Sequence, residues 1–504
     1  MKNYKNLKSG TDIRGVASDI FGKEITLTAE AVRDITYGFV KFLEKRLSKS
    51  SEQLTVALGH DSRITADEIS DNVKSVLTDY GVKVLDCGLA STPAMFMSTI
   101  HTAADASIQI TASHHPSDRN GLKFFLPEGG LDSPDIVEII SCAETEKEPF
   151  DGQKGEIQPI DFMSVYSGIL RKIICDGLGE REEDKPLSGF HIVVDAGNGA
   201  GGFYAENVLA ALGADTEGSV CLEPDGMFPN HIPNPENEAA MNSIRNAVLS
   251  SNADLGVIFD TDVDRAGCVD SRGDEINRNR LIALSAAIVM EKEPGAAIVT
   301  DSVTSSGLKI FIEDVLGGHH HRFKRGYKNV INEAVRLCNS GINAPLAIET
   351  SGHAALKENY FLDDGAYLVT KIIIKMVNLK KEGKTIDDLI SKLKEPAASK
   401  ELRFGIIPED FAKTGNMIID AVEKYAEKND WNIADDNREG IRVSIKSGWF
   451  LLRLSVHDPI MPLNIEADDA DDMAEIANSV FEALKPFENE LNLTPIVEYI
   501  AEFK

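Results

Sequence analysis

A serine that could act as a nucleophile lies in the stretch Thr111-Ala112-Ser113-His114-His115-Pro116. Ser113 stands directly beside His114, and Lys123 follows shortly after. A serine hydroxyl becomes reactive when a neighbouring base can take its proton and nearby donors can stabilise the group that it accepts. The combination favours covalent use of Ser113 over an ordinary role as a turn residue.

Three aspartates occupy alternate positions in Asp260-Thr261-Asp262-Val263-Asp264-Arg265, directly after the apolar run 255–259. Carboxylate oxygens that converge from one loop suit a hard cation, above all Mg²⁺. A calcium-binding EF-hand is excluded, because its loop needs glycine at position six and glutamate at position twelve. The chain has Arg265 and Ser271 there. The spacing therefore predicts a magnesium site formed by Asp260, Asp262 and Asp264.

A third polar loop, Glu349-Thr350-Ser351-Gly352-His353, also follows an apolar run. A carboxylate such as Glu349 accepts hydrogen bonds from sugar hydroxyls, and an imidazole such as His353 moves protons near neutral pH. Two cations stand beside glycines elsewhere, Arg14 between Gly10 and Gly15 and Lys328 after Gly326. Such side chains can bind an anion. The pattern indicates a polyol that carries an anionic group.

These loops need strands to position them, and the flanking pattern is that of α/β units. Residues 54–59, 82–85 and 106–110 are predicted strands and residues 66–80 a helix, so the serine loop leaves the carboxyl end of a strand. Open α/β sheets bind ligands at that end. We interpret the segment His60-Asp61-Ser62-Arg63 as structural, and the run His319-His320-His321 as a solvated loop.

Glycines at 197, 199 and 202 match a dinucleotide-binding fingerprint after the predicted strand 190–195. The acidic residue that should end the next strand is missing, because Asp215 and Glu217 fall beside Gly213 and Gly218. A glycine fingerprint without that residue is weak. Tight packing between strand and helix is the preferred interpretation.

Composition narrows the class of protein. The formal net charge of −29 argues against nucleic-acid binding, which needs a basic surface. No apolar run approaches the ~20 residues of a membrane span, and the start of the chain lacks the apolar core of a signal peptide. The six cysteines are scattered, which indicates reduced thiols in a cytoplasmic protein without a membrane partner.

With 504 residues the chain is too long for a single core. The predicted fold class is α/β, with three similar α/β domains containing mixed sheets and a smaller α+β domain at the C-terminus. The predicted domains are 1–155 with the serine loop, 156–275 with the aspartate loop, 276–395 with the Glu349–His353 region, and 396–504. Helix 411–428 and strands near 441–445, 449–454 and 463–466 define the last domain, followed by a helix over 469–484.

Phosphoryl transfer explains these parts together. A phosphoryl group that moves on and off Ser113 needs a cation and basic side chains to neutralise its oxygens. Acyl hydrolysis has no need of the aspartate loop, and hydride transfer has no need of the serine. The metal-dependent alternatives are a mutase, which moves the group between two positions of a sugar, and a phosphatase that uses the same serine.

The motifs resemble those of the α-D-phosphohexomutase family, which includes phosphomannomutases and phosphoglucomutases, over essentially the whole chain. Thr111-Ala112-Ser113-His114-x-Pro116 resembles the family's phosphoserine loop, Asp260-x-Asp262-x-Asp264-Arg265 its metal loop, and Glu349-x-Ser351-Gly352-His353 its sugar-recognition loop. The resemblance implies an active site in a central cleft, with Ser113 carrying the phosphoryl group and joining the three aspartates around Mg²⁺. It also implies catalytic roles for Arg14, His114, Lys123, Arg265, Lys328 and His353.

The implied reaction interconverts hexose 1-phosphates and 6-phosphates of mannose or glucose through a hexose 1,6-bisphosphate, in a cytoplasmic monomer or homodimer. A phosphoglucosamine mutase and a non-catalytic sugar-phosphate sensor remain alternatives. Two positions depart from the family pattern. His115 replaces a common asparagine, and Arg453-Leu454-Ser455-Val456-His457-Asp458-Pro459 lacks the Gly-Thr-Glu of the phosphate-binding loop. We expect Arg453, Ser455 and His457 to hold the phosphate that is not transferred.

Overall fold

The computed structural model describes residues 2–455 and 458–503. The chain divides into two compact units, one formed by residues 1–281 and 351–388 and the other by residues 282–350 and 389–504. Within residues 2–455 and 458–503, no helix has both the length and the apolar composition needed to cross a membrane.

The larger unit begins with a mixed sheet that carries the serine loop. In spatial order its strands are Lys8–Ser9, Asp12–Val16, Arg119–Leu126, Ala106–Ile110, Thr55–His60, Lys83–Leu89 and Ile157–Pro159, with Gly129–Gly130 beside Arg119–Leu126. Strands Thr55–His60 and Ala106–Ile110 run parallel, whereas Ala106–Ile110 and Arg119–Leu126 run antiparallel. The serine loop is therefore the connection of an antiparallel pair, fixed at both ends by the ladder.

A second sheet of this unit carries the aspartate loop. Its strands, in spatial order, are Glu275–Ile276, Ala266–Asp270, Leu255–Phe259 and Ile192–Asp195. The fully buried strand Leu255–Phe259 pairs in parallel with Ile192–Asp195 and antiparallel with Ala266–Asp270, so the aspartate loop is a tight hairpin connection. A short hairpin, Ala354–Leu356 with Leu362–Asp363, also belongs to the larger unit.

Amphipathic helices cover these sheets. They are Ala29–Leu47, Ala66–Asp79, Thr92–His101, Ser133–Ala143, Phe162–Leu178, the π-helical segment Tyr204–Leu209, Glu238–Ser251 and Gly365–Lys381; Arg278–Met290 and Ile386–Ile390 lie where the chain passes between the units. Short 3₁₀ turns occur at Lys5–Leu7, Ser51–Gln53, Glu182–Asp184, Ala210–Leu212 and Lys357–Asn359. Helix Ala29–Leu47 is typical. The side chain of its N-cap residue Thr28 accepts a hydrogen bond from the Ala31 amide, and the inner face of the helix joins the apolar core of the first sheet.

The smaller unit contains three parallel strands and a separate antiparallel sheet. The parallel strands are His319–Arg322, Ala297–Thr300 and Leu346–Ile348, with helices Ser306–Ile310, the π-helical Phe311–Val315 and Tyr327–Asn339. The antiparallel strands are, in order, Ala398–Gly405, Ile460–Ala467, Gly448–Leu452, Ile441–Ile445 and Asn432–Ile433, with helices Phe411–Lys428, Ala470–Leu484 and Thr494–Ala501 and the 3₁₀ turn Lys485–Phe487. The antiparallel sheet and its helices enclose a core of their own.

The predicted mixed α/β sheets and the smaller C-terminal α+β module are confirmed. The prediction of a solvated loop for the histidine run is wrong, because residues His319–Arg322 form an edge strand paired with Ala297–Thr300. His320 points into the core and bonds Thr300 Oγ1 through Nε2 at 2.8 Å, and His321 Nε2 lies 2.8 Å from Glu333 Oε1. Alternation along the strand sends His320 and His321 to opposite faces, so these two imidazoles do not converge on one ion.

Candidate active site

Ser113 is held in an uncommon backbone conformation. The serine is buried, with φ of 51°, in the left-handed region that few residues other than glycine adopt. Its amide donates to Thr111 Oγ1 at 2.8 Å. A strained, buried serine persists only where its surroundings fix it, and such residues concentrate at functional sites.

Arg63 fixes the serine loop from below. Its fully buried guanidinium donates to four backbone carbonyls of the loop and its exit, those of Ser113, His115, Pro116 and Arg119. Asp61 completes the support, because it accepts from Thr111 Oγ1 at 2.6 Å and from the Arg63 amide at 3.0 Å. The segment His60-Asp61-Ser62-Arg63 therefore has a structural role, because Asp61 and Arg63 shape the loop that presents Ser113.

The aspartate loop meets Ser113 directly. The Ser113 hydroxyl donates to Asp260 Oδ2 at 3.1 Å. Lys123 donates from Nζ to Asp262 Oδ2 at 2.9 Å and to Asp264 Oδ2 at 2.5 Å. A hydroxyl, three carboxylates and an ammonium group therefore share one buried site, although they come from two different sheets.

The three aspartates fit a divalent cation. One carboxylate oxygen of each lies within 4.8 Å of the others, and all three residues are buried. Asp262 Oδ1 and Asp264 Oδ1 make no hydrogen bond to any residue in the described part of the chain. Burial and the neighbouring carboxylates of Asp264 and Asp262 raise the pKa of Asp260 well above its usual range. A cation would supply the missing partners and remove this repulsion, and an all-oxygen set suits Mg²⁺.

His353 adjoins the aspartate loop and is oriented by two partners. Arg265 donates from Nε to His353 Nε2 at 2.8 Å, so Nε2 carries the ring's lone pair. His353 Nδ1 then carries the hydrogen and pairs with the buried carboxylate of Asp363. Burial opposes ionisation of Asp264, yet Lys123, His353 and Arg265 together lower the pKa of that carboxyl.

His114 lies beside Ser113 and is electrostatically disfavoured as a cation. Its Nδ1 is 3.3 Å from Ser113 Oγ. The charge of Arg265, burial, and the charges of His115 and Arg14 lower the pKa of His114 far below its usual range. Arg14 belongs to strand Asp12–Val16 and pairs with Asp12 at 2.7 Å. His114 is therefore neutral in a site rich in fixed positive charge, with Nδ1 beside the Ser113 hydroxyl.

The Glu349–His353 region is divided between the units, with Ser351 and His353 in the larger and Glu349 in the smaller. Ser351 is buried. In the smaller unit Glu349 Oε1 accepts from the Gly326 amide at 2.6 Å. Gly326 has φ of 118°, a conformation that favours glycine, and it precedes helix Tyr327–Asn339, whose first turn carries Lys328. This arrangement fixes the direction of Glu349 beside the turn that leads to Lys328.

Arg453 follows strand Gly448–Leu452 and is largely enclosed. Its Nε lies 3.3 Å from Glu439 Oε1, while Glu439 Oε2 accepts from the Arg325 amide at 2.6 Å. Burial lowers the pKa of Arg453, and Arg325 adds to this effect while Glu439 opposes it. Ser455 Oγ accepts from the Asp458 amide at 3.3 Å, and His457 lies outside the described residues.

The larger unit thus gathers Ser113, His114, Lys123, Arg265 and His353 with the three aspartates. Arg63 was interpreted from the sequence as structural, whereas Asp363 and Thr92 were not predicted; the Thr92 hydroxyl donates to Asp262 Oδ2 at 2.5 Å. Arg325 and Glu439 in the smaller unit were not predicted either. Asp363 carried a weak signal, because it is the first of two adjacent acids shortly after His353. The sequence around Thr92, Arg325 and Glu439 contains no motif that would mark them as site residues.

Comparisons with known proteins agree with these motifs. Residues 6–150, 175–273 and 277–396 match, in order, the profiles for α/β/α domains I, II and III of phosphoglucomutase/phosphomannomutase. A phosphomannomutase/phosphoglucomutase of Pseudomonas syringae is 30% identical over 96% of this chain and 96% of its own length. A phosphomannomutase of Escherichia coli is 30% identical, covering 82% of this chain and 87% of its own.

A crystal structure of a phosphoglucomutase/phosphomannomutase family protein from Burkholderia thailandensis has a similar fold. It superimposes with a TM-score of 0.78 at 26% identity, over 98% of this chain and 99% of its own.

Proposed function

The chain belongs to the phosphoglucomutase/phosphomannomutase family, and on that premise we propose that it is a phosphohexomutase with Ser113 as the phosphoryl carrier. The enzyme interconverts hexose 1-phosphate and hexose 6-phosphate. Phosphorylated Ser113 donates its phosphoryl group to the free hydroxyl of the substrate, which gives a hexose 1,6-bisphosphate. The bisphosphate reorients and returns its other phosphoryl group to Ser113.

The observation that most strongly supports this proposal is the position of the Ser113 hydroxyl. It lies 3.1 Å from Asp260, within a site that also contains Lys123 and two further carboxylates. We assign Asp260, Asp262, Asp264 and Ser113 as the Mg²⁺ ligands. When bound, Mg²⁺ neutralises charge on the phosphoryl oxygens.

Proton movements are assigned to residues that bracket the site. When Ser113 is phosphorylated, its Oγ forms the new P–O bond while the bond to the sugar oxygen breaks. The negative charge of the arriving phosphoryl group offsets the positive charge around His114, so that its Nδ1 accepts the Ser113 proton. The departing sugar oxygen takes a proton from His353 Nε2. His353 Nε2 acquires this proton in the preceding half-reaction, when the attacking sugar hydroxyl replaces Arg265 as its hydrogen-bond partner and gives up its proton, while His114 returns a proton to the Ser113 oxygen.

Asp363 is proposed to position His353. Asp363→Asn retains the shape but removes the negative charge that fixes Nδ1–H and stabilises the imidazolium formed during turnover. We expect kcat to fall about 10- to 100-fold with little change in KM, since the substrate touches His353 rather than Asp363. Steady-state kinetics with glucose 1-phosphate measure both constants.

Asp364→Asn is the matched control for this variant. Asp364 is equally buried but bonds Tyr166, Asn359 and the Tyr367 amide instead of His353. It should lower the melting temperature and leave kcat within about threefold of the parent. A normal kcat in folded Asp363→Asn would contradict the positioning role.

The phosphate that is not transferred is assigned to Arg453 with Arg325, a residue that the sequence argument did not name. Both arginines contact the same carboxylate, Glu439, one through its side chain and the other through its amide. The charge of Arg325 also helps to lower the pKa of Arg453, so the two guanidinium groups lie near one another and together suit a phosphate dianion. Ser455 and His457 remain proposed contributors, as do Glu349, Ser351 and Lys328 for the sugar.

Loss of Arg453 should weaken substrate affinity. A charge-assisted hydrogen bond contributes about 1.5–3 kcal/mol, so Arg453→Ala should raise KM about ten- to a hundredfold. The contact is equally present before and during the chemical step, so kcat should change little. Arg403→Ala, an exposed arginine in the same unit, is the control and should leave KM unchanged. Equal KM values for both variants would mean that the phosphate binds elsewhere.

The same proposal includes the substrate, the requirement for Mg²⁺ and a division into four domains. The proposed domains are 1–155, 156–275, 276–395 and 396–504. Mannose and glucose phosphates are the first candidates, and glucosamine phosphate is the alternative. A coupled assay with the three hexose 1-phosphates, primed with glucose 1,6-bisphosphate, measures 6-phosphate and inorganic phosphate in parallel. A mutase gives 6-phosphate with little inorganic phosphate; stoichiometric phosphate release would indicate a phosphatase, and no turnover a sugar-phosphate sensor.

A further inference from the structure

A second group of side chains of the types that bind metals lies apart from Ser113 and the aspartate loop. Asp195 Oδ, Cys221 Sγ and a ring nitrogen of His231 all lie within 4.8 Å of one another. Asp195 ends strand Ile192–Asp195, while Cys221 and His231 come from two later loop segments of the same unit. The proposed mutase reaction uses none of the three.

The carboxylate of this group is held in place before any ligand arrives. Asp195 is fully buried, its Oδ1 accepts from the Gly197 amide at 2.9 Å, and its Oδ2 accepts from Ser243 Oγ at 2.6 Å. These two donors fix the plane of the carboxylate. A metal-binding carboxylate is typically oriented by such hydrogen bonds.

The imidazole is oriented in the same manner. His231 Nδ1 lies 3.1 Å from the Ile232 carbonyl oxygen, which can only accept, so Nδ1 carries a hydrogen. His231 Nε2 lies 2.9 Å from Asp195 Oδ2. In a typical metal-binding histidine, Nδ1–H donates to a backbone carbonyl and Nε2 points towards the other metal ligands. His231 has this orientation, because its Nε2 points towards Asp195.

Two other functions account for fewer of these contacts. A cysteine nucleophile needs one ring nitrogen oriented by the carboxylate and the other facing the thiol. Here the Ile232 carbonyl occupies Nδ1 and Asp195 occupies Nε2, so neither nitrogen serves the thiol alone. Without a metal the three side chains bond one another: burial opposes it, but hydrogen bonds with Asp195 and Cys221 raise the pKa of His231 to about 10. Zn²⁺ would displace the proton that these groups share.

We propose that Asp195, Cys221 and His231 form a zinc site that is separate from the magnesium site. One carboxylate oxygen, one thiolate and one imidazole are the ligand types that Zn²⁺ selects, and three protein ligands leave a fourth position for water. Cys221 is only partly buried, so an ion can enter from solvent on its side, whereas the side chains of His231 and Asp195 are enclosed. Mg²⁺ prefers all-oxygen ligands and is excluded by the sulfur.

The site would stabilise the segment that supports the aspartate loop. Five residues after Asp195, the Ala200 amide donates to the Thr261 carbonyl at 2.8 Å. A Cβ atom at Gly199 would lie 2.4 Å from that same carbonyl oxygen, so the two loops are in close contact. Zinc held at the start of this segment is expected to raise stability without taking part in phosphoryl transfer.

Cobalt titration of the full-length, chelator-treated protein tests the proposal. Saturating Mg²⁺ is present to occupy the aspartate loop. One equivalent of Co²⁺ should produce a near-ultraviolet thiolate-to-cobalt charge-transfer band with strong visible bands, and one equivalent of Zn²⁺ should remove them. Cys221→Ser should abolish the charge-transfer band, whereas the control Cys338→Ser should retain it. Absence of the band in the parent protein, or its persistence in Cys221→Ser, would overturn the assignment.

Affinity and stability provide a second test. Ser243→Ala removes a donor that orients Asp195, so zinc affinity should fall about 10- to 100-fold in a competition titration. Zinc should raise the melting temperature of the parent protein but not of Cys221→Ser. An identical zinc response in parent and Cys221→Ser would show that any bound zinc lies elsewhere and would overturn the proposal.

Discussion

Replacement of Ser113 by alanine is expected to abolish turnover and remove a covalent phosphoryl group from the purified protein. No other hydroxyl in the described part of the chain donates to Asp260, and Ser113 itself has the positive φ in the loop that Arg63 holds. Removing an enzyme's nucleophile costs on the order of 10⁴-fold or more in kcat. Kinetics at saturating hexose phosphate and intact-mass spectrometry measure the two effects.

Ser117→Ala is the matched control, because Ser117 is a second buried serine in the same loop. It should keep the phosphorylated mass and most of the activity. Isomerisation by Ser113→Ala at a rate comparable to Ser117→Ala would contradict the phosphoserine mechanism. Retention of the added mass in Ser113→Ala would place the phosphoryl group on another residue.

Removal of divalent cations is expected to stop turnover completely and reversibly. A phosphorylated Ser113 would place about two negative charges beside three buried carboxylates, with Lys123 and Arg265 as the nearest cations of the loop. Repulsion between the phosphoryl group and the three carboxylates is strong in a buried site unless a cation screens it. Activity should vanish with a chelator and return when Mg²⁺ is added in excess.

Asp262→Asn tests which residues hold the cation. We expect the Mg²⁺ concentration for half-maximal activity to rise at least about tenfold, because a charged ligand becomes a neutral one. Asp274→Asn, an exposed aspartate beyond the hairpin, should leave that concentration unchanged. Full activity of Asp262→Asn in the presence of a chelator would exclude the aspartate loop as the metal site.

Several features were determined by the sequence alone, because each is encoded in a short contiguous stretch. The apolar run 255–259 predicts a buried strand, and alternation after it presents three carboxylates from one loop. Ser113 and His114 are adjacent, and the strand Ala106–Ile110 before them was predicted at its observed bounds. Local periodicity and turn residues suffice for such features, since they depend on neighbours along the chain.

The partners of these groups were decided only by the tertiary structure. Lys123 reaches Asp262 across 139 residues, and Arg265 reaches His353 across 88. Arg63 supports the serine loop from 50 residues away, and the histidine run becomes a strand because Ala297–Thr300 offers it a parallel ladder. Hydrogen bonds and ion pairs between distant segments leave no periodic trace in one sequence. They arise only when the sheets bring those strand ends together.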